Sequence, residues 1–133
     1  HYECLVKNCP EDVETHQLAV GNEEKMISLS EDNFTQAKRV MGDGTIPMVT
    51  IDSLNLDDVD LIKIDVEGFE MEVLKGAGNT LKNVDYLMIE LNNNSKKYGS
   101  SNLEIEKHLR KTGFEIMIKV WPDVVWRKKG KSK

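Results

Sequence analysis

The sequence predicts an α/β fold built around one parallel strand–helix–strand unit. A short apolar run at Leu61–Ile64 is typical of a parallel strand that is covered on both faces. The apolar residues from Val66 to Ala77 recur at helical spacing and predict a helix of about three turns. A second apolar run, Tyr86–Leu91, then predicts another strand. Two strands joined in this way are parallel neighbours in one sheet, and this fixes the fold class as α/β.

Upstream of this unit, the sequence predicts short strands and turns. Val13–Val20 mixes alternation with β-branched residues and leads into Gly21-Asn22, a turn dipeptide. Lys25–Leu29 and Met48–Ile51 are short apolar segments that we expect to pair as strands. The polar segment between them, Ser30–Thr45, is expected to form a loop or a short helix.

Downstream of the unit, the sequence predicts a capped helix. Ser101 and Glu104 have the spacing of a capping box, which opens a helix that Gly113 ends. The apolar residues of this helix are Leu103, Ile105 and Leu109.

The last part of the chain is predicted to be a β-hairpin followed by a basic tail. Phe114–Trp121 and Val124–Trp126 are strands on either side of a Pro122-Asp123 turn. Trp121 and Trp126 flank this turn, and we expect them to pack in the hairpin instead of offering a stacking surface. Arg127–Lys133 carries five positive charges and no apolar group. We therefore expect one domain over residues 1–126 and a tail over residues 127–133.

Composition narrows the class of protein. The chain has 133 residues, of which 39% are hydrophobic and 31% charged, and this suits one soluble globular domain. Its net charge of -5 argues against a surface that binds nucleic acid generally. The chain lacks an apolar run of the roughly eighteen residues that span a bilayer, and its first residues lack the apolar core of a signal peptide. We therefore expect a cytoplasmic protein with no membrane partner.

Acidic residues end both strands of the parallel unit. Asp65 follows the first strand and Glu90 ends the second, and ligands of open α/β sheets bind at the carboxyl ends of parallel strands. We expect both carboxylates to face one crevice, with Glu67 nearby in the first helical turn. Lys63 shares a strand face with Asp65, so we expect these two side chains to pair.

Each of these side chains also has a purely structural interpretation. Asp65 has the residue type of a helix N-cap, and Glu67 has the charge that complements a helix dipole. Glu90 has an alternative role as an acceptor for backbone amides of the following loop. For Lys63, a structural ion pair is an alternative to a part in catalysis.

A family resemblance rests on three motifs. KIDVEGFEMEVLKGA at Lys63–Ala77 is preceded by TIDSL at Thr50–Leu54 and followed by a strand that ends in IEL. Together they resemble the FkbM family of S-adenosylmethionine-dependent methyltransferases, over a stretch from Val13 to about Trp121. The resemblance implies a class I methyltransferase fold, which is a Rossmann-like sheet with a C-terminal antiparallel hairpin.

The resemblance also implies roles for individual residues. It places Asp65 beside the reactive methyl group of S-adenosylmethionine, where this residue would contact the cofactor and deprotonate the substrate. Glu67 and Lys63 would assist it in catalysis. Glu90, which we place in the same crevice from its position at a strand end, is the residue that we expect to bind the substrate. Family members typically methylate a hydroxyl of a sugar or natural-product-like small molecule, and such a reaction benefits from a base. The residues implied near the adenine are Ala19, Val20 and Gly21.

The chain departs from the family pattern at its start. It lacks the glycine-rich first strand and turn that hold the cofactor's methionine part, and it also lacks the second strand. Since the chain begins with His1, we interpret it as a C-terminal portion that is inactive alone. Two other interpretations stay open: methylation of RNA ribose 2′-hydroxyls, for which the basic tail is the only support, and a non-catalytic Rossmann-like interaction module. The scheme requires no metal, although an Asp and two Glu residues in one crevice suit Mg²⁺.

Overall fold

The computed structural model describes residues 2–30 and 40–130. Its helices and strands follow one another in this order: α1 (Tyr2–Asn8), β1 (Ala19–Val20), β2 (Lys25–Leu29), β3 (Val40–Val49), β4 (Leu61–Ile64), α2 (Glu70–Lys75), β5 (Tyr86–Glu90), α3 (Asn102–Lys111), β6 (Phe114–Val120) and β7 (Asp123–Lys128). This alternation of strands and helices confirms the predicted α/β class.

The described strands form two sheets. The smaller sheet has the order β1-β3-β2, in which β3 lies parallel to β1 and antiparallel to β2. The larger sheet has the order β4-β5-β7-β6. In it β4 and β5 are parallel, as predicted, whereas β7 runs antiparallel to both β5 and β6. The C-terminal hairpin is therefore present, and it continues the sheet from β5 outward.

The core lies on one face of the larger sheet. Buried side chains of its strands pack against buried side chains of α2 and α3, such as Leu74 and Leu109. Each apolar side chain of this size contributes about 1.5–3 kcal/mol when it is fully buried. The buried residues that the sheet supplies are Ile64, Leu87, Ile89, Phe114, Val124 and Trp126.

The opposite face of β4 is exposed to solvent among the described residues. Leu61 is 55% exposed, and Lys63 on the same strand is exposed too. The prediction that this strand is covered on both faces is therefore wrong. Both α2 and α3 pack on the face that carries Ile64, and an apolar run of four residues does not reveal which of its sides will be covered.

The helix of the parallel unit is shorter than predicted. It begins at Glu70 instead of near Val66, and the residue at its N-cap position is Phe69. Glu67 and Gly68 have positive φ angles of 54° and 110°, which an α-helix does not contain. The interpretation of Asp65 as the N-cap is therefore wrong, because Asp65 precedes a turn and not a helix.

The N-terminal strands differ from the prediction in extent. Only Ala19–Val20 of the predicted strand Val13–Val20 is extended in a sheet, because this segment's pairing is limited to Met48 and Val49 of β3. The segment predicted as a loop or short helix instead contains the first half of β3, which pairs with β2 across an irregularity in register. Residues 31–39 of that segment lie outside the described residues.

The two sheets meet through α2. A Cβ atom added to Gly76 would lie 2.0 Å from the carbonyl oxygen of Gly21, so only glycine allows this approach. The Asp52 amide donates to the Gly76 carbonyl oxygen at 3.0 Å. The Asp52 carboxylate accepts from the amides of Asn79 and Thr80, at 2.9 and 2.8 Å, and from the Thr80 hydroxyl at 2.8 Å. Asp52 thus fixes the segment that leads from α2 to β5.

The C-terminal helix and hairpin agree closely with the sequence analysis. Ser101 is the N-cap of α3, and its Oγ accepts from the Glu104 amide at 3.3 Å, as the capping box predicts. Strand β7 continues through Lys128, so Arg127 and Lys128 of the basic segment lie in the sheet. No helix in the described part of the chain is long and apolar enough to cross a membrane.

Candidate functional site

Two carboxyl groups meet at the carboxyl end of the parallel strands. Asp65 directly follows β4, and Glu90 is the last residue of β5. Ile64 lies opposite Ile89 in the register of these strands, so Asp65 and Glu90, which follow them, lie side by side. A side-chain hydrogen bond joins Asp65 and Glu90, which we call the carboxyl pair. The strand order alone predicts this meeting.

The two members of the carboxyl pair differ in their affinity for a proton. The hydrogen bond from Glu90 holds the pKa of Asp65 below its ordinary value, and Lys63 adds to this effect against the opposing influence of burial. The same hydrogen bond raises the pKa of Glu90, and burial and the negative charges of Asp65 and Glu67 raise it further. Asp65 is therefore the ionised acceptor, and Glu90 is the member that keeps its proton to higher pH.

Lys63 completes the charge arrangement around Asp65. Its Nζ donates to Asp65 Oδ2 at 3.1 Å, which is the predicted pair. This hydrogen bond, with the charge of Asp65, raises the pKa of Lys63, and Asp123 and Glu90 contribute as well. The side chains of Lys63 and Asp65 are 54% and 39% exposed, so water screens the pair and its contribution to stability is small. The exposed pair is accessible to a ligand.

Glu67 links the two loops that follow the parallel strands. Its Oε2 accepts hydrogen bonds from Nδ2 of Asn92 at 3.1 Å and from Nδ2 of Asn94 at 3.0 Å. The backbone of Glu67 is left-handed, with a φ of 54°, and α2 begins only at Glu70. The interpretation of Glu67 as a residue of the first helical turn is therefore wrong.

A buried carboxyl group holds the same loop from inside. Glu70 is 2% exposed, and its Oε1 accepts from the Gly68 amide at 2.8 Å. Burial raises the pKa of Glu70, although backbone amides, that of Gly68 first, act against this rise. A Cβ atom on Gly68 would lie 2.6 Å from backbone atoms of Asn94, so the loops after β4 and β5 are in direct contact. The Asp65 backbone thus leads into a closely packed turn.

Sequence reasoning missed three polar residues at this end of the sheet. Asn92 and Asn94 bind Glu67, and the Asn92 side chain also bonds to Glu90 and acts to lower its pKa. Asp123, the first residue of β7, lies opposite Glu90 in the sheet register. The signal for the asparagines was their position directly after a parallel strand. Asp123 gave no such signal, because only the pairing of β7 with β5 brings it here.

A family model describes most of the chain. Residues 3–116 match the model described as the methyltransferase FkbM domain. The chain belongs to the FkbM methyltransferase family. The Hexuronic acid methyltransferase AglP of Haloferax volcanii is 35% identical to this FkbM chain over an alignment of 63 residues, which covers 44% of the chain and 26% of the relative. The chain thus spans about a quarter of the length of this curated relative. No solved structure matches this chain.

The implied adenine-side segment of this FkbM chain packs against the loop that follows Asp65. Ala19 and Val20 form β1 and are partly buried, whereas Gly21 is buried. A Cβ atom at Gly21 would lie 2.5 Å from the sulfur of Met48 and 3.0 Å from the Phe69 ring. The end of β1 therefore lies beside the loop of the carboxyl pair, and its role towards adenine stays a prediction.

Two other kinds of site in the described part of the FkbM chain, a metal cluster and a cavity, do not replace the carboxyl pair as the candidate site. Within residues 2–30 and 40–130, no group of three or more His, Cys, Asp or Glu side chains is placed to hold a metal ion. A cavity of about 570 Å³ lies at the opposite end of the larger sheet, where Asp60 and Asp85 precede the parallel strands. It is remote from the carboxyl pair, which remains the candidate site.

Proposed function

We propose that this FkbM chain carries the acceptor side of an S-adenosylmethionine-dependent O-methyltransferase that acts on a hydroxyl of a sugar or natural-product-like small molecule. The observation that carries the proposal is the carboxyl pair, which lies at the ligand-binding end of the parallel strands and beside Lys63. The relative named as a hexuronic acid methyltransferase supports a sugar as the acceptor. The order β4-β5-β7-β6, with β7 antiparallel, supports a class I arrangement.

Asp65 is the group that receives the acceptor's proton. A sugar hydroxyl is a poor nucleophile until a neighbouring base takes its proton during the attack. Asp65 is ionised, because the hydrogen bond from Glu90 and the charge of Lys63 favour its charged form. Its carboxylate accepts a hydrogen bond from the hydroxyl and takes up the proton as the oxygen bonds to the methyl carbon. Bound S-adenosylmethionine would supply an electrophilic methyl group on a cationic sulfur, and the electron pair of the broken carbon–sulfur bond would stay on that sulfur as a neutral thioether.

The remaining side chains of the site orient the reactants. Glu90, whose pKa is raised, holds one side of Asp65 through the side-chain hydrogen bond and is the group that we propose to bind the substrate. Lys63 holds Asp65 from the opposite direction through the bond to Oδ2. Glu67 keeps the loops after β4 and β5 together, so that the carboxyl pair stays assembled. This assistance by Glu67 is one of position and not of proton transfer.

The residues at the site fit the cationic cofactor. The ionised Asp65 and the neighbouring Glu67 and Asp123 supply negative charge, which stabilises a nearby sulfonium. Ala19, Val20 and Gly21 lie next to the same loop, where they would form the adenine side. The proposed enzyme is a protein that contains this chain.

Two linked measurements test the proposal on such a protein. Calorimetry with S-adenosylmethionine is expected to show saturable binding, and incubation with labelled cofactor and methyl glycosides is expected to transfer the label to oxygen. Asp65→Asn should lower the transfer rate about a hundredfold or more, the usual contribution of a general base. Asp57→Asn, an exposed acid at the opposite end of the sheet, is the matched control and should keep the rate. Undetectable cofactor binding would leave only a non-catalytic module.

A further inference from the structure

The turn between β6 and β7 lies beside the carboxyl pair. Glu90 is opposite Asp123 in the register of β5 and β7, and Asp123 is opposite Val120 in that of β7 and β6. The Leu91 amide donates to the carbonyl oxygen of Pro122 at 2.9 Å. Residues that face each other on adjacent strands share one face of a sheet, so Val120 and Glu90 are on the same side.

Two large apolar side chains are exposed at this turn. Val120 is 68% exposed and Trp121 is 57% exposed, although both stand next to a polar site. Trp126, the other tryptophan, is fully buried in the core. Packing therefore explains Trp126, as predicted, whereas more than half of the Trp121 side chain is exposed. An exposed apolar patch that polar residues border is typical of a binding surface.

The chemistry of the turn suits a sugar ring. A pyranose has apolar C–H faces and a rim of hydroxyl groups, so it needs a flat apolar surface and nearby hydrogen-bonding groups. Trp121 offers the widest apolar surface of any side chain and loses little conformational freedom when a ligand covers it. Asp123 and Glu90 stand within one strand spacing of each other and offer carboxyl groups to the rim. Ligand sites commonly combine such apolar walls with a few convergent polar groups.

We propose that Val120 and Trp121 form the surface on which a pyranose acceptor rests while its hydroxyl meets Asp65. This inference rests on the proposed function and adds a residue that determines acceptor specificity. The family match ends at residue 116, so the turn lies outside the part of the chain that the family model describes. Trp121 binds the acceptor and takes no part in the proton transfer.

Nuclear magnetic resonance tests the surface without requiring turnover. The probe is methyl β-glucopyranoside, a neutral glycoside that the acidic side chains do not repel. The indole N–H signal of Trp121 is expected to shift saturably during a titration of the protein, whereas that of the buried Trp126 stays fixed as an internal control. Equal shifts of both signals, or none in either, would overturn the proposal.

Kinetics then separates this inference from the proposed function. Trp121→Ala should raise the KM for the glycoside about fivefold, the size of one lost aromatic contact, and leave the KM for the cofactor and the melting temperature unchanged. Met117→Ala, on the same strand and 51% exposed, is the matched control and should change none of these values. An unchanged acceptor KM in a Trp121→Ala enzyme that transfers methyl groups refutes the surface alone. Absence of transfer by the wild-type enzyme refutes the proposed function, while the Trp121 signal still reports on the surface.

Discussion

Replacing Glu67 tests whether this carboxylate joins the two loops at the site. The side chain accepts from Asn92 and Asn94 at 3.1 and 3.0 Å, and these bonds connect the segments after β4 and β5. A hydrogen bond to a charged group contributes about 1.5–3 kcal/mol, but partly buried amides can bond to water once their partner is removed. We therefore expect Glu67→Ala to cost about 1 kcal/mol for each bond, or about 2 kcal/mol in all.

The backbone at Glu67 supplies a second variant with a different expected result. Its φ of 54° is left-handed, a conformation that costs an ordinary L-residue about 1–2 kcal/mol and costs glycine little. Glu67→Gly loses the same two hydrogen bonds but also removes this strain, offset in part by the flexibility of glycine in the unfolded chain. We expect Glu67→Gly to be more stable than Glu67→Ala by about 0.5–1 kcal/mol.

Urea denaturation of the three proteins measures these differences. Glu24→Ala removes another glutamate, at an exposed position in the turn before β2, and is the matched control that should unfold like the wild type. A Glu67→Ala protein with the stability of the wild type would refute the linking role. A Glu67→Gly protein that is less stable than Glu67→Ala would refute the strain at this position.

Three further variants test the packing and charges around the site. Asp52→Ala should destabilise the chain by about 2 kcal/mol, because the amides of Asn79 and Thr80 lose their acceptor. Thermal melts measure this loss, and Asp57→Ala is the control that should melt like the wild type. Burial acts to raise the pKa of Asp52, but the amides of Asn79 and Thr80 lower it on balance. The stability that Asp52 contributes should therefore be present above its ordinary pKa of 3.8 and should disappear as pH falls through the lowered pKa. Burial raises the pKa of Glu70, so the stability that this group contributes is full below its ordinary value of 4.5 and is lost as pH rises through the raised pKa. Glu70→Gln should remove that loss, which urea titrations at several pH values measure. An unchanged dependence of stability on pH in Glu70→Gln would contradict this expectation. Gly76→Ala would place a Cβ atom 2.0 Å from the Gly21 carbonyl oxygen and should lower the stability of the chain by about 3 kcal/mol. In the control Gly78→Ala, the added Cβ atom meets nothing closer than 4.0 Å. Equal melting temperatures for the two variants would disprove the close approach.

The parts of the site that depend on strand order were predictable from the sequence. Apolar runs that end in Asp65 and Glu90, joined by one helical segment, are enough to place both carboxyl groups at the same end of a parallel pair. Alternation along β4 is enough to bring Lys63 to Asp65. Both inferences need only local pattern and the geometry of a sheet.

The parts that depend on backbone conformation and on distant packing were not predictable. The apolar spacing from Val66 continues smoothly into α2, so it gives no sign that Glu67 is left-handed and that the helix starts at Glu70. Trp121 and Trp126 look equivalent in the sequence because both flank one turn. Only the packing of α2 and α3 on a single face makes Trp126 part of the core and leaves Trp121 exposed.

The rate of methyl transfer in Asp65→Asn and Glu90→Gln enzymes tests the central claim most directly. The lowered pKa of Asp65 favours its ionised form, and the raised pKa of Glu90 favours its protonated form. In single turnovers with saturating cofactor, Asp65→Asn should therefore be slower than the wild type by about a hundredfold or more, because it removes the proton acceptor. Glu90→Gln should be slower by about tenfold at most, because its amide still donates to Asp65. Equal losses in the two variants, or full activity in Asp65→Asn, would contradict the assignment of the carboxyl pair as the centre of methyl transfer.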